Sequence, residues 1–551
     1  MAQSFRATQR APRSCRSCAS RKVKCDKAVP CSTCIKRGEA DSCAREVVIV
    51  RGEVTMWNDS PHRLTYDELM RENERLREEL ESGQPRSPIT MAPTRSTREH
   101  RVDHDEEGLE DRLWESMSAA SSATSSTVSS WADVVVPTAA ISSQLIAYDK
   151  TWNTWVHYAV EYPKFQTECD NFLTARNQGM PLESADPSWL AVYFSVLSAA
   201  ILMIGEDGLE AMNAPKDFDH RRVSRNWYDA SIFSLSRADF MRMASIRTVQ
   251  AVAVLGMCFN NWGDMELGQH MWSCALRIAQ RIGLNTPYSQ AAGLVLSAEA
   301  QHRLWWTLVI CEWMNLPYRP PLIDAVDFDV PLPCATLPEE GDAHNRAHYH
   351  IFMAKTAAVV YRFRAAIRVG VPSLEDVVKI VRTADEQLAA IISSLPPHLQ
   401  PDADIDNEEL QRLERIQPWI RWQRHDITLV LLHLRLRIHR TLQLQWLLYP
   451  TEYNWARTVS VMSAKSIIWI NRNWDQPVSM RKQWALSCHI FVAAILLLRE
   501  CRSDQTAAAE KDHEALQAAL RLLDEVKAWN ALAQHAAMIL KDMLVNNGLP
   551  I

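Results

Sequence analysis

Six cysteines near the start of this 551-residue chain have a spacing suited to binding metal ions. They follow the pattern C-x2-C-x6-C-x5-C-x2-C-x8-C and comprise Cys15, Cys18, Cys25, Cys31, Cys34 and Cys43. Each C-x-x-C pair can place two thiolates on one ion, and the third cysteine of each half adds another. Structural zinc takes four ligands, so six thiolates can serve two ions only if two sulfurs bridge. The spacing therefore predicts a binuclear cluster with two Zn2+ ions per chain.

The cysteine cluster is built on an internal repeat, because residues 15–21 (CRSCASR) recur as residues 31–37 (CSTCIKR). A secreted disulfide framework is one alternative, but no apolar signal segment is visible, and reducing compartments favour metal binding by clustered cysteines. A metallothionein-like or redox cluster is another, although neither requires a basic segment between the second and third cysteines. The other seven cysteines are scattered singly, and we expect them to be buried small hydrophobic residues.

Basic residues are concentrated around the cluster. Residues 1–50 have a charge balance of +7, whereas the whole chain has −6, so residues 51–551 carry −13. A basic segment attached to an acidic remainder is typical of nucleic-acid binding. We expect Ala19 to Lys24 to form a short helix whose N-terminal end enters the DNA major groove, where Arg and Lys can donate to guanine. A solvated face or a nuclear-import signal is the alternative interpretation.

This arrangement closely resembles the fungal zinc-cluster (binuclear six-cysteine) transcription factors. All six cysteines match, as do the basic stretch 21–24 and Pro30 just before the fourth cysteine. The resemblance implies that Cys15 and Cys31 bridge the two ions and that Arg21 and Lys22 read a CGG-type triplet. It implies phosphate contacts by the other basic residues of this segment, namely Arg16, Lys24, Lys27, Lys36 and Arg37. One departure is Ala19, where the family often has a basic residue.

A heptad pattern follows the cluster after a linker at residues 44–65. Tyr66, Leu69, Asn73, Leu76 and Leu80 fall at alternating a and d positions. An Asn at an a position can fix a two-stranded register. Residues 66–82 are therefore a candidate dimerising coiled coil, and a lone solvated helix is the alternative because barely two heptads are present.

Residues 83–145 are rich in Pro, Ser and Thr, which predicts a disordered linker. Residues 103–115 within it contain seven acidic residues interleaved with Leu109, Leu113 and Trp114. This composition fits an activation segment or, equally, a solvating linker.

From residue 146 to 551 apolar residues recur at helical spacing, and the whole chain has only 15 Gly against 20 Trp. We expect helices at 241–262, 268–284 and 298–316. The many Trp residues are expected to be core residues, with a pocket lining as the alternative. The motifs of P-loop, dinucleotide-binding, serine-hydrolase and zinc-protease enzymes are absent from the sequence, so we expect no enzyme.

Three stretches of this domain resemble the middle homology region of fungal zinc-cluster regulators. They are residues 275–285, where Gly283 would end a helix, residues 303–306 with 318–333, and residues 436–440. In place of the family's Gly-Arg-Pro the chain has Tyr318-Arg319-Pro320. The resemblance implies a regulatory domain that restrains or permits activation and senses a metabolite or a partner.

The expected fold is mostly α. Its parts are a basic flexible arm (1–14), a binuclear zinc-cluster DNA-binding domain (15–43), a short coiled-coil candidate, a disordered linker and a large all-α regulatory domain (146–551).

The expected function is that of a nuclear, zinc-dependent, homodimeric transcription factor that binds double-stranded DNA and the transcription machinery and no membrane. By family resemblance it activates a metabolic or secondary-metabolite gene cluster. The alternative is a ligand-sensing regulator or repressor whose helical domain responds to a small-molecule effector while the zinc cluster only tethers it.

Overall fold

The structure is a computed structural model that divides into two compact units, Met1–Arg98 and Glu99–Ile551. The described residues are 7–8, 14–26, 31–39, 43, 49–50, 53–54, 104–121, 125–205, 208, 219–315, 319–334, 343–368, 372–403, 406–473, 478–503 and 507–547. The coiled-coil candidate at 66–82, with Tyr66, Leu69, Asn73, Leu76 and Leu80, lies outside them. We call the larger unit, Glu99–Ile551, the body, and residues 15–43 the cysteine head.

The smaller unit contains two short helices and three very short strands. Their bounds are β1 Ala7–Thr8, α1 Arg16–Ser20, α2 Ser32–Ile35, β2 Ile49–Val50 and β3 Glu53–Val54. The strand β2 lies between β1, to which it is parallel, and β3, to which it is antiparallel. Ala7 is aligned with Ile49, and Ile49 with Val54.

The body is helical throughout its described residues. Its first helices are α3 His104–Ser121, α4 Ala139–Tyr148, α5 Thr154–His157, α6 Lys164–Asn177, α7 Pro187–Met203, α8 His220–Arg237, α9 Ile246–Leu255, α10 Phe259–Trp262, α11 Met265–Arg281, α12 Gln290–Gly293 and α13 Ala298–Trp313. The remaining helices are α14 Ala343–Arg368, α15 Leu374–Ser393, α16 Glu408–Ile416, α17 Trp419–Arg440, α18 Gln443–Leu448, α19 Asn454–Asn473, α20 Val478–Arg481, α21 Trp484–Ser503, α22 Ala507–Val526 and α23 Ala531–Asn546. The expected mostly-α fold class is confirmed.

Local sequence signals set many of the helix ends. Asp186 caps α7 through the Ser188 N–H, and Pro187 occupies the first turn, where its missing N–H costs nothing. Ser373 and Asp376 form a reciprocal capping box at the start of α15. Gly283 follows α11 with φ of 78°, a left-handed conformation that only glycine adopts cheaply. The prediction that Gly283 ends this helix is confirmed.

Two hydrophobic cores organise the body. The first core is centred on α7, which is buried along its whole length and packs against α8 and α9. Two buried serines join α7 to α8, because each hydroxyl of Ser198 and Ser224 donates to the other residue's carbonyl. The second core lies among α17, α19, α21 and α23. The helix α14 contributes to both cores, with Ala354 and Ala357 in the first and Phe352 and Val360 in the second.

The helix α21 is apolar and long enough to cross a membrane by length and composition alone. In its window Trp484–Cys501, however, 78% of the residues are buried inside the body. Its apolar residues therefore serve as packing surface of the second core.

The structure differs from the expected disordered linker at 83–145 over the part that it describes. Residues 104–121 form α3, in which Leu113, Trp114 and Met117 are buried in the second core. The spacing of Leu113 and Met117 puts both on one face, which can pack against α11 and α23. Residues 125–138 are held on α8, since the Thr127 N–H donates to the Asp229 carboxylate at 2.7 Å. The low-complexity composition of this segment gave no indication of these contacts.

The expected helix at 241–262 is also different in the structure. Ser245 caps the start of α9, whereas Met241 and Met243 before it are exposed. The chain then turns after Leu255, at Gly256, and re-enters a helix only at α10. The apolar run therefore forms two helices separated by the turn at Gly256. Its first residues belong to neither helix and are not part of a buried face.

Candidate metal centre and nucleic-acid interface

The structure brings the six cysteines of the head together in two overlapping sets of four. One set is Cys15, Cys31, Cys34 and Cys43, and the other is Cys15, Cys18, Cys25 and Cys31. Within each set all sulfur atoms lie within 4.8 Å of one another. The sulfur of Cys15 is 3.8 Å from that of Cys31. Four thiols at such distances fit the tetrahedral ligand set of structural zinc, and the two sets share Cys15 and Cys31.

Backbone donors are directed at the two shared sulfurs. The Cys18 N–H donates to the Cys15 sulfur, and the Cys34 N–H to the Cys31 sulfur, each at 3.4 Å. Burial by itself raises the pKa of Cys31, but the Cys34 N–H and the neighbouring thiols outweigh it and lower the pKa to about 6. Burial by itself raises the pKa of Cys15, but the Cys18 N–H and the neighbouring thiols together outweigh it and lower the pKa. Such donors stabilise the thiolate form, which is the form that binds metal.

The two halves of the head repeat the same backbone path. Cys15 caps α1 and Cys31 caps α2 through the sulfur contacts just described. After α1 the chain turns at Lys22 with φ of 52°, and after α2 it turns at Gly38 with φ of 70°. Lys22 thus occupies the left-handed position that glycine fills in the second half.

The expected helix Ala19–Lys24 is therefore wrong in its bounds and orientation. The helix is Arg16–Ser20, and Lys22 cannot continue it because its backbone is left-handed. Arg21 and Lys22 project from the C-terminal end of α1, not from its N-terminal end.

Arg21 has a partner that the sequence did not reveal. Its guanidinium makes a two-point contact with the Glu39 carboxylate, at 2.7 Å and 2.8 Å. The hydrogen bond from Arg21 lowers the pKa of Glu39. Glu39 is one of three acidic residues in the basic head, which was the available signal, but only folding brings position 39 next to position 21.

The other predicted DNA-contacting residues are divided between exposed and undescribed positions. The side chains of Lys22, Lys24, Lys36 and Arg37 are exposed. Lys27 and the side chain of Arg16 lie outside the described residues. The described basic side chains are therefore available to a large anionic partner.

Two hydrogen bonds join the halves beside the cysteines. The Ser32 N–H donates to the Asp26 carboxylate at 2.9 Å, and the Thr33 hydroxyl donates to the Lys24 carbonyl at 3.0 Å. Both bonds run from α2 to the segment that carries Lys24. They fix this basic segment relative to the second half of the head.

The body contains a cavity of about 330 Å3 between its two cores. Trp155, Trp272 and Trp484 line it, whereas Trp227, Trp305 and Trp446 are fully buried packing residues outside its wall. The Trp residues thus serve both of the roles considered from the sequence. Sequence periodicity could not have distinguished cavity-lining Trp residues from packing Trp residues, because the cavity depends on how several helices pack together.

Residues 148–353 match the family model described as the fungal specific transcription factor domain. This match covers α5 to α13 and the first part of α14. The expected resemblance to fungal transcription factors is therefore confirmed over residues 148–353. The cysteine head is compatible with the zinc cluster of that expectation.

Two curated proteins are similar to part of the chain. One is the Transcriptional regulator AacuB of Aspergillus aculeatus, which is 24% identical over 131 residues. The other is the Aurofusarin cluster transcription factor aurR2 of Gibberella zeae, which is 23% identical over 132 residues. The alignments cover 23% and 24% of this chain, and 17% and 19% of the respective relatives. Both relatives are named as regulators of transcription.

A solved structure, titled Structure of the K. lactis CBF3 core, contains a chain similar in fold. The TM-score is 0.51 at 11% sequence identity, over 74% of this chain and 82% of the other. At this identity the likeness concerns the fold alone.

Proposed function

We propose that this chain is a zinc-dependent, sequence-specific DNA-binding transcription factor that reads CGG-type half-sites. In this proposal six thiolates hold two zinc ions, with Cys15 and Cys31 bridging. Lys22 and Arg21 donate to guanine edges, while Lys24, Lys36 and Arg37 contact phosphates. The body has a regulatory role, in line with the names of both relatives, and not a catalytic one.

The observation that carries the proposal is the pair of overlapping four-cysteine sets beside exposed basic residues. Two metal sites that share two sulfurs account for all six cysteines with four ligands per ion. Lys22 stands at a left-handed position that costs about 1–2 kcal/mol for a residue other than glycine. A side chain retained at that cost supports a role for Lys22 that glycine could not fill.

The cellular setting of the proposal follows from the relatives. Both are transcription regulators, and one is named for a single biosynthetic cluster. We therefore place this chain in the nucleus, as a homodimer joined through residues 66–82 that acts with the transcription machinery. Its targets would be RNA polymerase II genes of a metabolic or secondary-metabolite cluster, which it activates.

Binding of the zinc-loaded full chain to two labelled duplexes tests the proposal. One duplex carries two CGG triplets, and the other has the same composition in scrambled order. Lys22→Gly keeps the backbone turn, so we expect a folded head that loses roughly tenfold or more of its preference for the CGG duplex. Lys36→Ala should weaken both duplexes alike and lower the salt dependence by about one phosphate contact.

Equal loss of preference in the two variants would contradict base reading by Lys22. A zinc content of one ion per chain, measured by elemental analysis, would contradict the shared-sulfur cluster.

A second candidate function is that of a ligand-sensing regulator or repressor, in which the head only tethers the body to DNA. The cavity between the two cores favours it. In this case a small-molecule effector, not the DNA sequence, would govern the activity of the chain.

A further inference from the structure

The cavity lies at the junction of the two cores of the body. Its wall is formed by α5, α9, α11, α13, α14, α17 and α21. Residues of the first core such as Met257 and Ile310 face residues of the second core such as Val430 and Leu434. Any molecule held there would contact both cores at once. Its volume of about 330 Å3 falls in the range that small-molecule sites occupy.

Most of the wall is apolar and adaptable. Five methionines contribute to it, namely Met203, Met257, Met265, Met314 and Met353. Methionine side chains are flexible and polarisable, so they can adjust to a flat ring. Three Trp rings, those of Trp155, Trp272 and Trp484, add aromatic surface. This combination favours an aromatic ligand over a sugar or a polar metabolite.

Four buried nitrogen atoms of Trp and His side chains on this wall have no hydrogen-bond partner in the structure. They are Trp155 Nε1, His350 Nδ1, His433 Nδ1 and His489 Nδ1. All four side chains are more than nine-tenths buried. Leaving such a group unpaired costs about 1–3 kcal/mol. Since all four side chains belong to the wall of this one cavity, we infer that a bound molecule supplies their partners once the side chains adjust to it.

Three histidines of this wall have lowered pKa values, which favours their neutral form. Burial lowers the pKa of His350 and of His489 to about 3. Burial and the neighbouring His489 hold the pKa of His433 well below its usual range. Neutral histidines can donate to a carbonyl or phenol oxygen without requiring an anion.

The charged residues of the wall are largely engaged with the protein. Arg437 pairs with Glu110 at 2.8 Å. Arg319 donates to Gln269 through one terminal nitrogen, whereas its Nε has no partner in the structure, and the Tyr349 hydroxyl donates to Asp426. The wall therefore favours a neutral ligand.

Cys311 provides a natural reporter of this cavity. It lies in α13 between the buried residues Ile310 and Glu312, yet its side chain is exposed, contrary to the expectation of a buried hydrophobic cysteine. It lines the cavity. Surrounding protein atoms raise the pKa of its thiol to about 12 by desolvation. A thiol with accessible surface inside the protein is what a deep cavity produces.

We propose that this cavity binds a neutral, flat aromatic small molecule bearing carbonyl or phenol oxygens, which accept from the unpartnered Trp and His nitrogens. By touching both cores, the bound molecule fixes their relative position. The regulatory consequence rests on the proposed function, whereas the binding itself does not.

The test uses the zinc-loaded full chain and 1,8-dihydroxyanthraquinone as the probe. We expect saturable one-to-one binding by calorimetry and protection of Cys311 from N-ethylmaleimide, read by mass spectrometry at mildly alkaline pH. Anthraquinone-2,6-disulfonate has the same ring system with two negative charges. It should bind at least about tenfold more weakly.

Two ring-for-ring substitutions provide matched variants. His489→Phe keeps a ring stacked near His433 but removes the nitrogens, and should weaken the probe at least about tenfold. His425→Phe changes a buried histidine of α17 outside the cavity wall and should leave probe affinity within about twofold. Circular dichroism and thermal unfolding confirm that both variants are folded.

Several outcomes would overturn the inference. The first is that the probe does not bind and Cys311 stays reactive, which would mean that water alone fills the cavity. The second is that the two His variants bind the probe equally well. The third is that the chain prefers the disulfonate. Duplex binding is measured on the same samples. Probe binding without CGG preference would refute the proposed function but support this inference. CGG preference without probe binding would support the proposed function but refute this inference.

Discussion

Arg21 is the residue whose role the structure changes most. The family resemblance gives it a base-reading role, but in the structure both arms of its guanidinium contact Glu39. The same pair links the two halves of the head, because Arg21 follows α1 and Glu39 follows α2. Under the proposed function Arg21 would have to release Glu39 before it donates to a base, so Glu39 would compete with DNA for this guanidinium.

Glu39→Gln should raise the affinity for the CGG duplex by up to about tenfold, because the uncharged amide holds Arg21 less tightly. Removing a negative charge near phosphates also helps by itself. The control is the same change in an Arg21→Ala chain, measured by fluorescence anisotropy at one salt concentration. The competition predicts a smaller gain there, and an equal gain in both chains would contradict it.

At the scale of elements, α3 is the feature that joins a low-complexity segment to the folded body. Its Glu110 is buried and pairs with Arg437 and Arg440 of α17. Burial by itself raises the pKa of Glu110, but the two arginines outweigh it and lower the pKa to about 2. Of the three hydrophobic residues of the activation-segment hypothesis, Leu113 and Trp114 are buried in the second core, and the side chain of Leu109 lies outside the described residues.

Glu110→Gln should lower the free energy of unfolding of the body by about 3 kcal/mol at neutral pH, because two partly buried arginines lose their counter-charge. The lowered pKa means that this stability is present above the unfolded-state pKa of about 4.5 and is lost as the pH falls through about 2. Urea unfolding of the two chains should therefore converge between those pH values.

Glu115→Gln, at an exposed position of the same helix, is the matched control and should change stability by less than about 0.5 kcal/mol. A similar loss in both variants would contradict the role of the Glu110 pairs.

For the whole molecule, the division into two units separates the cysteines of the candidate metal centre from the hydrophobic cores of the body. The cysteines of the head form a cluster of their own, with Val23 packed against it. Neither core of the body includes any of these six cysteines. A small cysteine-rich head has little apolar area to bury, so under the proposed function its folding energy would come from the bound zinc.

Removing zinc with 1,10-phenanthroline should therefore abolish CGG-duplex binding while the thermal unfolding of the body stays unchanged. Calorimetric unfolding and anisotropy on the same sample give both readouts, and added Zn2+ should restore duplex binding. A fall in the unfolding temperature of the body on chelation would contradict the independence of the two units.

Several features could be predicted from sequence because they depend on short-range spacing. The cysteine repeat indicated which sulfurs belong together, and helical periodicity with few glycines indicated the mostly-α body. Gly283 and its helix end followed from local backbone preference. The ends of α1 could not be predicted, because the left-handed turn at Lys22 breaks the local preference for a lysine.

Sequence alone therefore determined the six candidate metal-binding cysteines, the basic charge of the head and the mostly-α fold class, since each follows from residue spacing or composition. Tertiary structure alone decided that Arg21 meets Glu39, that α3 docks on α17 through Glu110, and that a cavity remains between two cores. These are contacts between residues as far as 330 positions apart, as for Glu110 and Arg440. No local pattern encodes such pairs, because their energy comes from burial that exists only once the helices have packed.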